Sequence, residues 1–286
     1  MIKTILLQIK SDETDATCFA TALPIARTFG AHVEALHVRP DPAEIAMTMS
    51  TEGAGGVLLQ GLIDDVSHDA DKAELAARSA FADLCIREGL KLGGPHSKGL
   101  SAEWLVGIGD EARCMTGYGL TVDLILAHRG TPGRDATARS TLEAVLLESG
   151  RPLLIPGTRP VSNKFAERIA IAWKPTPQAA RAVAGAMPLL KRAEQVVVLT
   201  VDEDKGRGDE SDRLVSYLGR HGIKARIERL PPGPDGAVET MLSIASATSE
   251  LLVMGGYGHT RLREWAFGGF TEHVLGGAPL SVLMAH

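Results

Sequence analysis

Short apolar runs alternate with amphipathic segments along the whole chain. In the first half, strand patterns occupy residues 3–10, 32–38, 101–107, 123–127 and 151–156. Apolar residues with helical spacing fill the intervals, most clearly over 58–88, where Gly89 supplies a stop signal. The Gly- and Met-rich stretch 46–56 is predicted as a loop. Strands that alternate with helices predict a parallel sheet covered by helices on both faces.

The second half of the chain repeats the pattern of the first. Its predicted strands lie at 168–174, 195–201, 224–230, 250–254 and 278–284, with helices over 209–221 and 237–248. Each half begins with a strand that ends at a lysine, Lys10 or Lys174, and further short matches follow in the same order. A series of this kind favours duplication. We therefore predict two tandem, doubly wound, mainly parallel five-stranded sheets, in domains 1–157 and 166–286.

Composition and charge narrow the class of protein. The chain has 286 residues, a net charge of -5, 44% hydrophobic and 23% charged residues, which is ordinary for globular domains. This charge gives no general basis for nucleic-acid binding, and no apolar run approaches the roughly 20 residues that cross a bilayer. Without a signal-peptide pattern, a cytoplasmic protein is expected. Three widely spaced cysteines (Cys18, Cys85 and Cys114) form no CxxC pair, so buried reduced thiols are predicted.

The stretch 250–275 carries the clearest candidate chemistry. An apolar strand ends at Gly255, a polar loop with Gly258 and His259 follows, and Gly268 and Gly269 precede a predicted helix. Glycines let a backbone approach an anion, and a helix start offers unpaired N–H groups, so this arrangement is typical of a phosphate site. In a doubly wound sheet, ligands bind beyond the carboxyl ends of strands. The loops after residues 173 and 254 are therefore the predicted crevice walls.

The spacing Gly255-x2-Gly258-x9-Gly268 resembles the G-x2-G-x9-G-(S/T) loop of the universal stress protein family. Together with the repeat, it makes the chain resemble a tandem universal stress protein. The resemblance implies Rossmann-like domains of the adenine-nucleotide-binding type. It implies one subtype that binds ATP and one that does not, and pairing of two domains along their last strands. In this chain those strands, 152–155 and 279–284, would pair within one molecule.

The resemblance also places a nucleotide site in the second half, with departures from the family pattern. Binding members carry an Asp at the end of the first strand, where this chain has Lys10 and Lys174, and a hydroxyl residue where it has Gly269. In the first half, His128 and Arg139 replace loop glycines, so that site is predicted to be degenerate. The implied second-half site consists of Ala172, Trp173, Lys174, Val201, Met254, Gly255, Gly258, His259, Gly268, Gly269 and Phe270.

The leading hypothesis is a non-catalytic stress-response protein that acts through conformation or partner binding. Its second-half pocket holds either ATP with magnesium or no ligand. One alternative is a slow adenine-nucleotide hydrolase in which His259, Arg261 and Arg263 stabilise charge. Another is an interaction module with relic pockets, acting through the 46–56 surface. No catalytic motif and no metal-ligand spacing is evident, and a homodimer is possible. Trp173 suits either base stacking or core packing.

Overall fold

The computed structural model describes residues 1–51, 56–94, 97–130, 137–161, 165–201, 208–230, 237–256, 274 and 277–286. The helices are α1 (Thr14–Phe29), α2 (Pro42–Thr51), α3 (Gly56–Glu88), α4 (Glu111–Gly119), α5 (Ala138–Glu148), α6 (Pro177–Leu190), α7 (Gly208–Arg220) and α8 (Ala237–Thr248). The strands are β1 (Thr4–Ile9), β2 (His32–Arg39), β3 (Lys91–Leu92), β4 (Ser101–Ile108), β5 (Leu124–Leu126), β6 (Leu153–Ile155), β7 (Arg168–Ala172), β8 (Gln195–Val201), β9 (Ala225–Leu230), β10 (Leu251–Gly255) and β11 (Ser281–Ala285). Among the described helices, none is long and apolar enough to cross a membrane.

These strands form one sheet in the order β3-β4-β2-β1-β5-β6-β11-β10-β7-β8-β9. Every pairing is parallel except the central one between β6 and β11. The order β4-β2-β1-β5-β6 in the first half matches β9-β8-β7-β10-β11 in the second. The predicted α/β class with a mainly parallel sheet is confirmed. The two-residue edge strand β3 was not predicted, so the described residues of the first half form six strands rather than five.

Strand alternation divides the core between the two faces of the sheet. In β1, Ile5 and Leu7 belong to one buried cluster and Leu6 to the other. The first cluster includes Phe19 of α1 and Phe81 of α3, and the second includes residues of α4 and α5. Burial on both faces explains why the strands are nearly continuous apolar runs.

The predicted loop over 46–56 is wrong for its first part, because α2 runs through Thr51. The Asp41 carboxylate accepts a 2.8 Å hydrogen bond from the backbone N–H of Ala43, and Pro42 is the first helical residue. An Asp cap followed by a proline is a recognised helix start. This signal stands in the sequence, and the Gly and Met content downstream obscured it.

Candidate functional site

The second-half crevice lies at the carboxyl ends of neighbouring strands, where the chain leaves them towards opposite sides of the sheet. β7 lies between β8 and β10, and the register places Ala172 beside Met254. Because the strands are parallel, their carboxyl ends meet at one edge of the sheet. Ala172 and Met254 are buried there, whereas Lys174 is exposed just beyond the end of β7. Val201 ends β8 at the same edge and is partly buried.

Gly255 brings the end of β10 into direct contact with the start of α6. A Cβ atom at this position would lie 2.5 Å from the backbone nitrogen of Ala179 and 2.8 Å from the carbonyl carbon of Gln178. No real Cβ approaches backbone so closely, so the packing requires glycine. The predicted close approach at Gly255 is therefore made to the protein's own helix. It sets the N-terminus of α6 against the crevice edge.

The N-terminus of α6 is an ordered, capped helix start. Thr176 has extended backbone angles, and its Oγ1 accepts a 3.2 Å hydrogen bond from the N–H of Ala179. Pro177 follows in the first turn, where its missing N–H costs nothing. The remaining first-turn N–H, that of Gln178, and the positive end of the helix dipole favour an anion beside this edge.

Trp173 packs against the buried cluster that contains Ile169 and Ile171, and it is partly buried. Its Nε1 is shielded from solvent and has no hydrogen-bond partner among the described residues. Of the two roles considered for this side chain, the contacts favour core packing.

Several residues of the predicted site lie outside the described part of the chain. They are Gly258, His259, Arg261, Arg263, Gly268, Gly269 and Phe270. Their assignment to the crevice remains a prediction. The structure brings together the members that precede them: Ala172, Trp173, Lys174, Val201, Met254 and Gly255.

The corresponding first-half crevice is occupied by an ion pair. Nζ of Lys10 donates to Oε2 of Glu111 at 2.5 Å, and the two side chains are only 17% and 15% exposed. Thr141 donates to the same carboxylate oxygen at 3.3 Å. Glu111 was not singled out from the sequence, because nothing in a one-dimensional pattern links it to a lysine 101 residues away.

The loop after β1 is held by Asp15. Its carboxylate accepts hydrogen bonds from the backbone N–H groups of Lys10 at 2.7 Å and Ser11 at 2.9 Å. Burial raises the pKa of Asp15 above its ordinary value, although these hydrogen bonds act in the opposite direction. Ser11 adopts a positive φ of 65°, so the carboxylate stabilises a turn that a non-glycine residue rarely forms.

Arg129 points into the protein rather than lying in a solvated basic loop. Its Nη1 donates to the carbonyl oxygen of Ala278 at 3.1 Å, and burial lowers the pKa of its guanidinium. Next to it, the N–H of His128 donates to Oε1 of the buried Gln8 at 3.1 Å. His128 and Arg129 are therefore held by contacts within the protein. Arg139, at the start of α5, pairs with Glu143 at 3.0 Å.

The three cysteines are free thiols on helices α1, α3 and α4. Cys18 and Cys85 are buried, and Cys114 is partly buried. Burial raises the pKa of each thiol, that of Cys85 to about 11. These groups are protonated at neutral pH and are poor nucleophiles and metal ligands.

Comparison with known proteins relates this architecture to solved structures. No protein-family model and no curated protein matches the sequence. A universal stress protein from Archaeoglobus fulgidus DSM 4304 is similar in structure, with a TM-score of 0.72 at 18% identity, over 99% of this chain and 95% of that one. A putative universal stress protein from Pseudomonas aeruginosa UCBPP-PA14 gives 0.60 at 16% identity, over 99% of this chain and 92% of that chain. The chain therefore has the universal stress protein fold, as the resemblance implied.

Proposed function

We propose that the chain is a tandem universal stress protein of the cytoplasm whose second half binds an adenine nucleotide without turning it over. In this proposal, domains 1–157 and 166–286 pair through β6 and β11. The contrast between the two crevices supports it. In the first half, the Lys10–Glu111 ion pair lies directly beyond the carboxyl end of β1. In the second, Gly255 packs against the capped start of α6, whose positive dipole end lies at the crevice edge.

The described residues suggest how a nucleotide would be held. Lys174, exposed beyond β7, attracts phosphate charge but cannot accept hydrogen bonds from a ribose. Val201, partly buried at the end of β8, offers apolar surface for a base at the same edge. Magnesium would accompany the phosphates of ATP. Occupancy of this pocket would be read out through conformation or partner binding.

Calorimetric titration of the nucleotide-stripped chain with Mg-ATP tests the proposal. We expect micromolar binding that Gly258→Asp abolishes, because a carboxylate in the predicted phosphate loop repels the ligand. Gly219→Asp is the matched control, since this α7 glycine has open space around its Cβ position. Wild-type protein that gives no heat and no thermal shift at millimolar ATP would refute nucleotide binding. Phosphate release that depends on His259 would instead establish the hydrolase.

The interaction-module hypothesis keeps one supporting observation. Met47 of α2 is 72% exposed, in the stretch that the sequence suggested as a partner surface. This alternative predicts that Met47→Asp abolishes capture of a partner from a lysate while ATP has no effect on capture. Sedimentation of the purified chain would decide between a monomer and a homodimer in either case.

A further inference from the structure

A histidine and two glutamates meet at the amino-terminal ends of two neighbouring strands in the first-half sheet. His32 and Glu34 lie on β2, and Glu103 lies on β4. The parallel register sets His32 beside Ser101 and Glu34 beside Glu103, so the three side chains share one face. They occupy the amino-terminal ends of their strands, whereas the crevices lie beyond the carboxyl ends. The cluster is therefore separate from the proposed nucleotide site.

The three side chains are close enough to share one ion. Nε2 of His32 lies 3.4 Å from Oε1 of Glu103, and one ligand atom from each of the three residues lies within 4.8 Å of the others. Tetrahedral zinc with ligands at 2.0–2.2 Å separates its ligand atoms by about 3.3 Å. The His32–Glu103 pair already has this spacing, and a rotamer adjustment of Glu34 would bring the third ligand in.

Nε2 of His32 faces the carboxylates, and Nδ1 faces Ser101. The Ser101 hydroxyl donates its only proton to the carbonyl oxygen of Gly99 at 3.0 Å. With that proton directed at Gly99, Nδ1 of His32, 2.8 Å from Ser101 Oγ, is assigned as the donor in that contact. Nε2 of His32 is shielded from solvent and has no hydrogen-bond partner among the residues that the structure describes, and in this tautomer it carries a lone pair. A ring oriented through its other nitrogen in this way is typical of metal-binding histidines.

The two carboxylates of the cluster lie directly opposite each other on neighbouring strands. Glu34 and Glu103 are adjacent across the strands and partly buried, and like charges directly opposite each other destabilise a sheet. A divalent ion would neutralise both carboxylates and use the lone pair of His32.

We propose that His32, Glu34 and Glu103 bind one divalent transition-metal ion of the zinc class, with water completing the coordination. One imidazole nitrogen and two carboxylate oxygens form a ligand set that suits zinc better than calcium, which prefers oxygen ligands only. Ser101 is the positioning residue, because it fixes the tautomer and orientation of His32. The ion would join β2 to β4 near the sheet edge and stabilise the first half.

Titration of the chelator-treated full chain with Zn²⁺ alone tests the site. We expect one equivalent to bind and to raise the Tm. Glu103→Gln and His32→Gln should each weaken binding by at least about tenfold, because a ligand is lost, and Ser101→Ala should weaken it about tenfold through the lost orientation. His68→Gln is the control, since His68 is an exposed histidine on α3. It should bind zinc as the wild type does.

Glu34→Gln separates a metal site from a merely structural cluster. Without metal, this variant should be at least as stable as the wild type, because the repulsion with Glu103 is removed. With Zn²⁺ it should lose the rise in Tm that the wild type shows. Substitution of Co²⁺ should give an absorption spectrum of mixed nitrogen and oxygen ligation that Glu103→Gln abolishes. Failure of the wild type to bind zinc, or equal affinity in Glu103→Gln, would overturn the proposal.

Discussion

At the residue scale, Gly255 shows how one missing side chain shapes the crevice. Gly255→Val would push Cβ into the backbone of Ala179 and Gln178. The backbone at the start of α6 cannot easily move away. We expect a loss of about 1–3 kcal/mol in the free energy of unfolding, measured by urea denaturation. Gly61→Ala in α3 is the control, because nothing lies within 4 Å of its Cβ position. It should stabilise the protein by about 0.5–1 kcal/mol. Equal effects at both sites would contradict the packing argument.

The Lys10–Glu111 pair is the second residue-scale determinant. Glu111→Gln removes the negative charge that faces a mostly buried ammonium group, so we expect a loss of about 1–3 kcal/mol in unfolding free energy. Lys10→Met combined with Glu111→Gln should recover part of this loss, since no unpaired charge is left.

A matched control for this pair lies on the surface. Arg226 and Glu228 are 2.9 Å apart, but their side chains are 62% and 33% exposed. Glu228→Gln should therefore change the unfolding free energy by less than about 1 kcal/mol. A double-mutant cycle at Lys10 and Glu111 that showed no coupling energy would count against a structural role for the ion pair.

The partners in long-range contacts could not be predicted from the sequence. Sequence reasoning placed a lysine at the end of both first strands, yet the Glu111 partner of Lys10 depends on how α4 packs against β1. The same limit applies to Arg129. Its acceptor is the Ala278 carbonyl, 149 residues away. Apolar periodicity reports local structure, whereas these contacts depend on the assembled sheet.

At the element scale, the helices that follow the first strands of the two halves begin differently. Thr176 caps α6 through its side chain, whereas Glu13, at the same place before α1, makes no side-chain capping bond. Thr176→Ala should therefore cost about 1 kcal/mol of unfolding free energy, and Glu13→Ala should cost close to nothing. Urea denaturation of both variants measures the difference. A similar loss for both would show that the cap does not stabilise α6.

Strong periodicity made most elements predictable. The helix predicted over 58–88 is α3, and its stop at Gly89 is confirmed by a positive φ of 72°. The strand predicted at 250–254 is β10 with a one-residue shift. The two-residue strand β3 was missed because it is too short to show alternation. It is defined by its parallel pairing with β4.

At the scale of the whole molecule, the repeat made the correspondence between the two halves predictable from the sequence alone. The continuous buried runs of β1, β5, β7 and β10 favour central positions in a parallel sheet. The metal-binding cluster was not predictable, because His32 and Glu103 are far apart in sequence. Only the pairing of β2 with β4 brings them onto one face.

The central seam between β6 and β11 is the contact on which the continuity of the sheet depends. Leu154 lies opposite Leu283, and both are fully buried. Just beyond β6, a Cβ atom on Gly157 would overlap the carbonyl oxygen of Pro279 and lie 2.5 Å from the carbonyl carbon of Leu280. The N–H of Gly157 also donates to Oγ of Ser281 at 3.1 Å. A side chain at position 157 therefore cannot be accommodated without displacing β11.

Gly157→Val should open this seam while leaving the outer strands intact. Loss of about 1–3 kcal/mol at the seam corresponds to amide exchange at least about fivefold faster in β6 and β11. Exchange in β4 and β9, towards the far edges, should not change. Hydrogen-exchange mass spectrometry measures all four strands in one experiment, with Gly117→Ala as control because its Cβ position is open. Unchanged protection of β11 in Gly157→Val would mean that the halves do not depend on this seam. Faster exchange throughout would mean that the sheet unfolds as one cooperative unit.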